Sequence, residues 1–159
     1  MSPTTPYSAD LAGRNPIEAI GATIERIEEI TAAWTPANFE RSYAPGKWSA
    51  RLILTHLAHS EIAFGMRARM ALTVPNYAAQ SFDQDQWMKH ESELNGRAAA
   101  NAYLATGRMN LAFFRRLSPA DLSTAFSHPE YGALTVDWIL HQTAGHQLHH
   151  LKQLEEINS

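Results

Sequence analysis

Residues 135–157 read TVDWILHQTAGHQLHHLKQLEEI, and their spacing decides the fold. Thr135 is placed to cap a helix, and Asp137 stands in its first turn, where the helix dipole favours negative charge. From there Val136, Ile139 or Leu140, Thr143, His146, His150, Leu154 and Ile157 recur in steps of three and four, the mark of one helical face. Two imidazoles therefore interrupt an apolar stripe. Residues four apart differ by about 40° around the axis and roughly 6 Å along it, so His146 and His150 can reach one ion. His149 lies about 60° to the side of His146, and His141 about 140° from it, toward the edge or solvent.

Three more helices follow upstream. Asn15 offers an N-cap, Pro16 suits the first helical position, and Glu18 stands three residues after the cap. Ile17, Ile20, Ile24, Ile27 and Ile30 or Thr31 then predict a first helix over about 16–34. Thr35 to Lys47, with Pro36, Pro45 and Gly46, reads as a connection. Ser49 caps a second helix over about 49–72, with Leu52, Ile53, His56, Leu57, Ser60 and Phe64 on one face and His59 rotated off it. Val74-Pro75-Asn76 breaks that helix. The polar stretch from Tyr77 to about Glu91 reads as a loop with room for one short helical turn; Phe82 and Trp87 could lid a site, but anchoring the connection is the safer account. A third helix is expected over about 92–117, ended by Ser118-Pro119, and Ser127 to Leu134 is a turn-rich bridge. No strand pattern emerges. The expectation is an all-α protein, a four-helix bundle at 15–158 behind a flexible lead-in at 1–14, with connections long enough for a non-meander topology.

At 159 residues the chain is long enough to bury one core without disulfides. Thirteen basic against sixteen acidic residues, with no basic run, leave no electrostatic footprint for nucleic acid or an anionic membrane. With no cysteine, any metal must take nitrogen and oxygen ligands. The N-terminus lacks the basic start and apolar core of a signal peptide, and no run is apolar enough to span a bilayer. A cytoplasmic protein is expected.

The plain reading of a histidine on an apolar face is a core side chain hydrogen-bonded to its neighbours. Three of them, His56, His146 and His150, on the core faces of two helices point instead to a bound divalent metal. Crowded neutral imidazoles without an ion would leave ring nitrogens unpaired, at a few kcal/mol each. Three protein ligands with open positions suit a catalytic site, whose reactive species would be a metal-bound water or a substrate thiolate. Zinc, nickel, copper and iron all accept such a set.

Competing motifs fare worse. His146-Gln147-Leu148-His149-His150 lacks the glutamate of a zinc protease helix. A di-iron bundle needs Glu-x-x-His pairs and further inward glutamates, and Glu61, Glu155 and Glu156 are not so placed. A Ser-His-Asp triad stays open, although no Gly-x-Ser-x-Gly elbow is present.

Pro45-Gly46-Lys47-Trp48-Ser49, leading into His56-Leu57-Ala58, resembles the first signature of the DinB/YfiT-like family. Pro129 to Val136, followed by Gly145-His146 and His149-His150-Leu151 to Gln153, is similar to its second. The resemblance runs from about residue 15 to 157. It implies a four-helix bundle with up-down-down-up topology, often a homodimer. It also implies a divalent metal, commonly zinc or nickel, on one histidine of the second helix and an H-x-x-x-H pair of the fourth. Those map onto His56, His146 and His150. Relatives include enzymes that use a low-molecular-weight thiol, which makes a thiol-dependent S-transferase or isomerase acting on a small molecule the expected activity. A metal-dependent hydrolase is the alternative, and a stress-related binding or scaffold protein with a structural metal is another.

Other residues carry plainer expectations. Trp48 and Trp138 should pack the bundle ends, and Gly145 should admit a close neighbour. Arg67 and Arg69 could orient an anionic substrate, but a solvated face explains them better. His149 keeps a supporting role open behind the ligands, and His59 lies on the flank.

Overall fold

In the computed structural model, which describes residues 2–159, four long helices each begin on a side-chain cap. Asn15 accepts from the amides of Ile17 and Glu18, Ser49 from Leu52, Asn95 from Ala98, and Thr135 from Trp138. Each such cap satisfies amides that have no partner inside the helix and contributes about 1 kcal/mol. In chain order the elements are α1 (Ser8–Leu11), α2 (Pro16–Ala32), α3 (Pro36–Phe39), α4 (Ala50–Thr73), α5 (Gln84–His90), α6 (Gly96–Phe114), α7 (Pro119–Leu122), β1 (Ala125–His128), β2 (Gly132–Thr135) and α8 (Val136–Asn158). The long helices are α2, α4, α6 and α8.

Side-chain pairs fix how these four run. The first half of α2 flanks Leu148 and Leu151, Arg26 pairs with Glu155, and Trp34 donates to Asn158 at 2.8 Å, so α2 and α8 are parallel. Arg51 at the start of α4 reaches the Ser92 carbonyl, while Arg69 near its end reaches Asn110 and the Phe113 ring, so α4 and α6 are parallel too. Between the pairs the helices are antiparallel. Gly21 faces Leu111 and Arg115, whereas Glu28 pairs with Arg108. His56 meets His150 and His146, whereas Phe64 meets only the earlier of the two. The result is the up-down-down-up bundle, in which α2 and α4 each touch both α6 and α8.

The core is filled by the periodic faces of all four. Ile20, Ile24 and Ile27 meet Ile53, Leu54 and Leu57, with Tyr103, Leu111, Ile139, Leu154 and Ile157, all buried. Burial of each such side chain stabilises the fold by about 1.5–3 kcal/mol. One polar layer crosses this core. Glu61 accepts from Asn110 at 2.8 Å and from Gln147 at 2.6 Å, joining α4, α6 and α8. Burial raises its pKa above the ordinary carboxylate range. Among the described residues no helix is long and apolar enough to cross a membrane.

Four features differ from the expectation. The bridge before α8 is a β-hairpin, with Phe126 opposite Leu134, turning through Gly132 at φ +71°. Tyr77–Ala79 lies alongside it, its backbone exchanging hydrogen bonds with Ser127. Four-residue strands are too short for alternation to stand out from a turn-rich sequence. Second, the lead-in is docked rather than free: Leu11 is buried and α1 packs on α8. Third, the long loop contains the two-turn helix α5, capped by Asp83. Finally, α6 starts at Gly96 and not near 92, because Asn95 supplies the cap.

Candidate metal centre

His56 comes from α4 and His146 and His150 from α8, and antiparallel packing brings all three to one level of the bundle. Nε2 of His146 lies 2.9 Å from Nε2 of His56 and 3.1 Å from Nε2 of His150. All three side chains are buried, and one ring nitrogen from each lies within 4.8 Å of the others. Burial, helped by the neighbouring imidazoles, lowers the pKa of His56 to about 3 and drives His146 well below the ordinary range. Burial likewise lowers His150 to about 4. The rings are therefore neutral at neutral pH, the protonation state that a metal requires.

The orientation of the lone pairs is set from outside the cluster. Gln153 lies one turn beyond His149, and its Nε2 approaches Tyr43 Oη and His149 Nε2, both at 3.4 Å. Its Oε1 is then free to accept from Nδ1 of His150 at 2.8 Å. With the proton on Nδ1, the Nε2 of His150 presents a lone pair to the centre. Nδ1 of His56 is buried and has no hydrogen-bond partner among the described residues.

A divalent ion about 2.0–2.1 Å from each nitrogen would separate tetrahedral ligands by about 3.3 Å, close to the spacings here. Three neutral imidazoles, one of them with its tautomer already fixed, fit such an ion.

Two of the three rings, those of His56 and His146, stand in the wall of a cavity of about 270 Å³. Ser60, Phe64 and Arg67 continue that wall along α4. Residues eleven apart on a helix differ by only about 20° around the axis, which puts Arg67 on the same face as His56. Tyr7 closes one side, its ring 5.1 Å from that of His146. Room for it comes from Gly145, where a Cβ would stand 2.5 Å from the Tyr7 carbonyl oxygen. Gly145 thus packs closely, as expected, although its neighbour is the lead-in. The hairpin contributes His128, Glu130 and Tyr131 to the far side, with Gln142 of α8 between them and the histidines.

The remaining expectations divide. Trp48 packs on the His56 ring at 5.1 Å. Trp138 lines the cavity and donates to the Thr4 carbonyl at 3.0 Å. Phe82 and Trp87 stack at 4.9 Å, anchoring the long connection, and Phe82 also lines the cavity. His59 is buried against Trp87 and 3.7 Å from Glu91, away from the triad. His149 is half-exposed, with its Nδ1 3.5 Å from Asp10 of α1. His141 caps no site; it pairs with Asp137 one turn earlier. Arg67 is not solvated, being only 7% exposed. Tyr7 is a cavity residue that sequence reasoning missed, and Arg67 is one that it weighed and set aside. The first had no signal. The second had one, its place three turns beyond His56.

The profile of the DinB superfamily matches residues 19–154. A protein of Oceanobacillus iheyensis named "Putative metal-dependent hydrolase OB0782" is 27% identical over 119 residues, 74% of this chain and 69% of its own length. The Bacillus subtilis protein named "Putative metal-dependent hydrolase YfiT" is 21% identical over 89% of this chain and 82% of its own. The solved structure of that protein, described as a four-helix bundle of unusual topology, superposes with a TM-score of 0.78, covering 89% of this chain and 83% of the other. A mycothiol-dependent maleylpyruvate isomerase superposes at 0.72 with 16% identity, covering 87% of this chain and 59% of the isomerase.

Proposed function

The chain belongs to the DinB superfamily, and on that footing we propose that it is a divalent-metal-dependent enzyme acting on a small molecule, with His56, His146 and His150 as ligands. One observation carries this reading: three neutral imidazoles from two helices turn their Nε2 atoms toward one point in the wall of a cavity. Zinc or nickel bound there would supply Lewis acidity, polarising a substrate oxygen or holding a substrate thiolate.

The chain's own side chains do the rest. Gln153 holds the His150 proton on Nδ1, away from the centre. Phe64, Tyr7 and Trp48 press on His146 and His56 and keep bulk water from the ligands. Ser60, Gln142 and Glu130 offer polar groups to a bound molecule.

The favoured chemistry is transfer to, or isomerisation with, a low-molecular-weight thiol. The chain contains no cysteine, so a thiolate nucleophile would have to arrive with a second substrate. Hydrolysis is the second reading, favoured by the Glu130 carboxylate in the cavity and by the names of the relatives. A homodimer, with Ile62, Met66, Met70 and Met109 at its interface, accords with the exposure of those four side chains.

Elemental analysis of untagged protein, followed by thiol-consumption and ester- or amide-hydrolysis screens on the same sample, tests these readings. The expected result is one equivalent of metal and a turnover that disappears in His56→Ala. Metal-free protein, or unchanged metal content in His56→Ala, would overturn the site. Metal whose removal unfolds the protein, with no turnover in either screen, would make the centre structural.

A further inference from the structure

Arg67 is a cation without a matching anion. Its side chain is buried, yet among the described residues no carboxylate forms an ion pair with it. Nη2 donates to the Gln80 carbonyl, and the guanidinium lies 5.7 Å over the Phe82 ring. Those contacts satisfy part of a fork that carries five N–H donors. An arginine cannot shed its charge by deprotonation, so burial leaves a standing demand for a counter-anion.

The groups around Arg67 do not meet that demand. Glu130 is the acid in the cavity wall; its charge acts on Arg67 from a distance, but it makes no ion pair with the fork, and its Oε1 accepts from Ser81 Oγ at 3.1 Å. Tyr77 and Tyr131 are phenols, uncharged at neutral pH. His128 is kept neutral by its own burial and by the arginine itself. Arg67 also stands on the same face of α4 as His56 and Ser60, and all three line the cavity together with His146.

We propose that Arg67 is the anion-recognition residue of this cavity, holding a carboxylate or phosphate group of the substrate while the reacting part lies against His56 and His146. This deepens the proposed function, since it rests on that cavity being the substrate chamber. A planar fork pairs with either oxyanion through two parallel hydrogen bonds, which fixes orientation as well as affinity. The substrate class is then a small organic acid or phosphoester, within a volume of about 270 Å³.

The test is titration calorimetry with succinate, inorganic phosphate and the uncharged isostere succinamide. Wild type, Arg67→Gln, Arg67→Lys and His56→Ala are compared, with metal content measured for each. Arg67→Gln should weaken the preferred anion roughly tenfold or more, because charge-assisted hydrogen bonds are lost, and leave metal content unchanged. Arg67→Lys should recover only part of that affinity, because a point charge lacks the fork. Succinamide should not distinguish the four proteins. Preference for succinate or for phosphate tells the two substrate chemistries apart. In the wild type, the Nε–H resonance of Arg67, assigned by its loss in Arg67→Lys, should shift on adding the preferred anion and not on adding succinamide. Anion affinity in Arg67→Gln equal to wild type, or an Nε–H resonance that does not move, would overturn the inference. His56→Ala separates it from the metal reading: unchanged metal content there sinks the metal site, while anion binding that still depends on Arg67 upholds this one.

Discussion

Gln153 Oε1 stands 2.8 Å from Nδ1 of His150, and the amide end of the same side chain faces Tyr43 and His149. The glutamine thereby decides which nitrogen of His150 carries the proton. Removing it should leave the metal stoichiometry of a saturated protein unchanged while weakening affinity by about 10–100-fold. Competition against a chromophoric chelator, comparing Gln153→Ala with wild type, measures this. Equal affinities would mean that the ring is positioned by packing alone.

Acid should weaken the metal-free protein through the same histidines. Their folded pKa values, about 3 for His56 and about 4 for His150, lie below the ordinary 6.5. Below about pH 6.5 the unfolded chain therefore binds more protons than the folded one, and stability falls as pH drops toward 4. Thermal melts of metal-free protein from pH 8 to 4 should show this slope, shallower in His56→Leu.

Glu61 works in the opposite direction. Its pKa is raised by burial, so the stability that it contributes is present at acid pH and lost as pH rises through the folded value. Glu61→Gln removes the charge, and an amide flip of Gln147 would let its unpartnered Oε1 accept from the new side chain. The variant should melt higher than wild type at pH 8 and show little difference at pH 4. A variant less stable at both would show that the ionised carboxylate is needed.

Two glycines offer a controlled comparison. Alanine in a helix is favoured over glycine by about 1 kcal/mol, and at Gly21 the nearest atoms leave ordinary room for a Cβ, at 3.6 and 3.7 Å. At Gly145 the Tyr7 backbone blocks it at 2.5 Å. Gly21→Ala should hold or raise the melting temperature. Gly145→Ala should lower it, by about 1–3 kcal/mol of overpacking, and expose residues 2–13 to limited proteolysis.

A homodimer through the face of Ile62, Met66, Met70 and Met109 predicts that Met66→Asp sediments as a monomer with metal content intact. A wild type that already sediments as a monomer, or a coefficient unchanged by the substitution, would overturn that interface.

The bundle and the meeting of three histidines were legible in the sequence because helical periodicity converts spacing directly into direction. His146 and His150 share a stripe by arithmetic, and His56 shares one with Ile53 and Ser60. Arg67 falls on that stripe by the same arithmetic. Its charge fitted an anionic substrate or a solvated face, and the second was preferred because nothing in a linear sequence reports that Phe82 and the hairpin will cover it. Tyr7 lay beyond reach for a different reason. Its place depends on Gly145, 138 positions away, and a lead-in of mixed polarity has no period to betray a packed face. Glu61 entered the sequence reading only as a rejected di-iron ligand, because the partners of its polar layer sit on two other helices.

The parallel pairing of α2 with α8 has a consequence for biosynthesis. The earliest long helix finds its neighbour in the latest long helix of the bundle, and two of the three converging imidazoles arrive on that same segment. A ribosome-bound chain ending near Leu134 would carry α2 and α4 with their faces toward α8 uncovered. Burial and the meeting of the three histidines are thus postponed together until α8 has emerged, and the cluster cannot form on a half-made bundle.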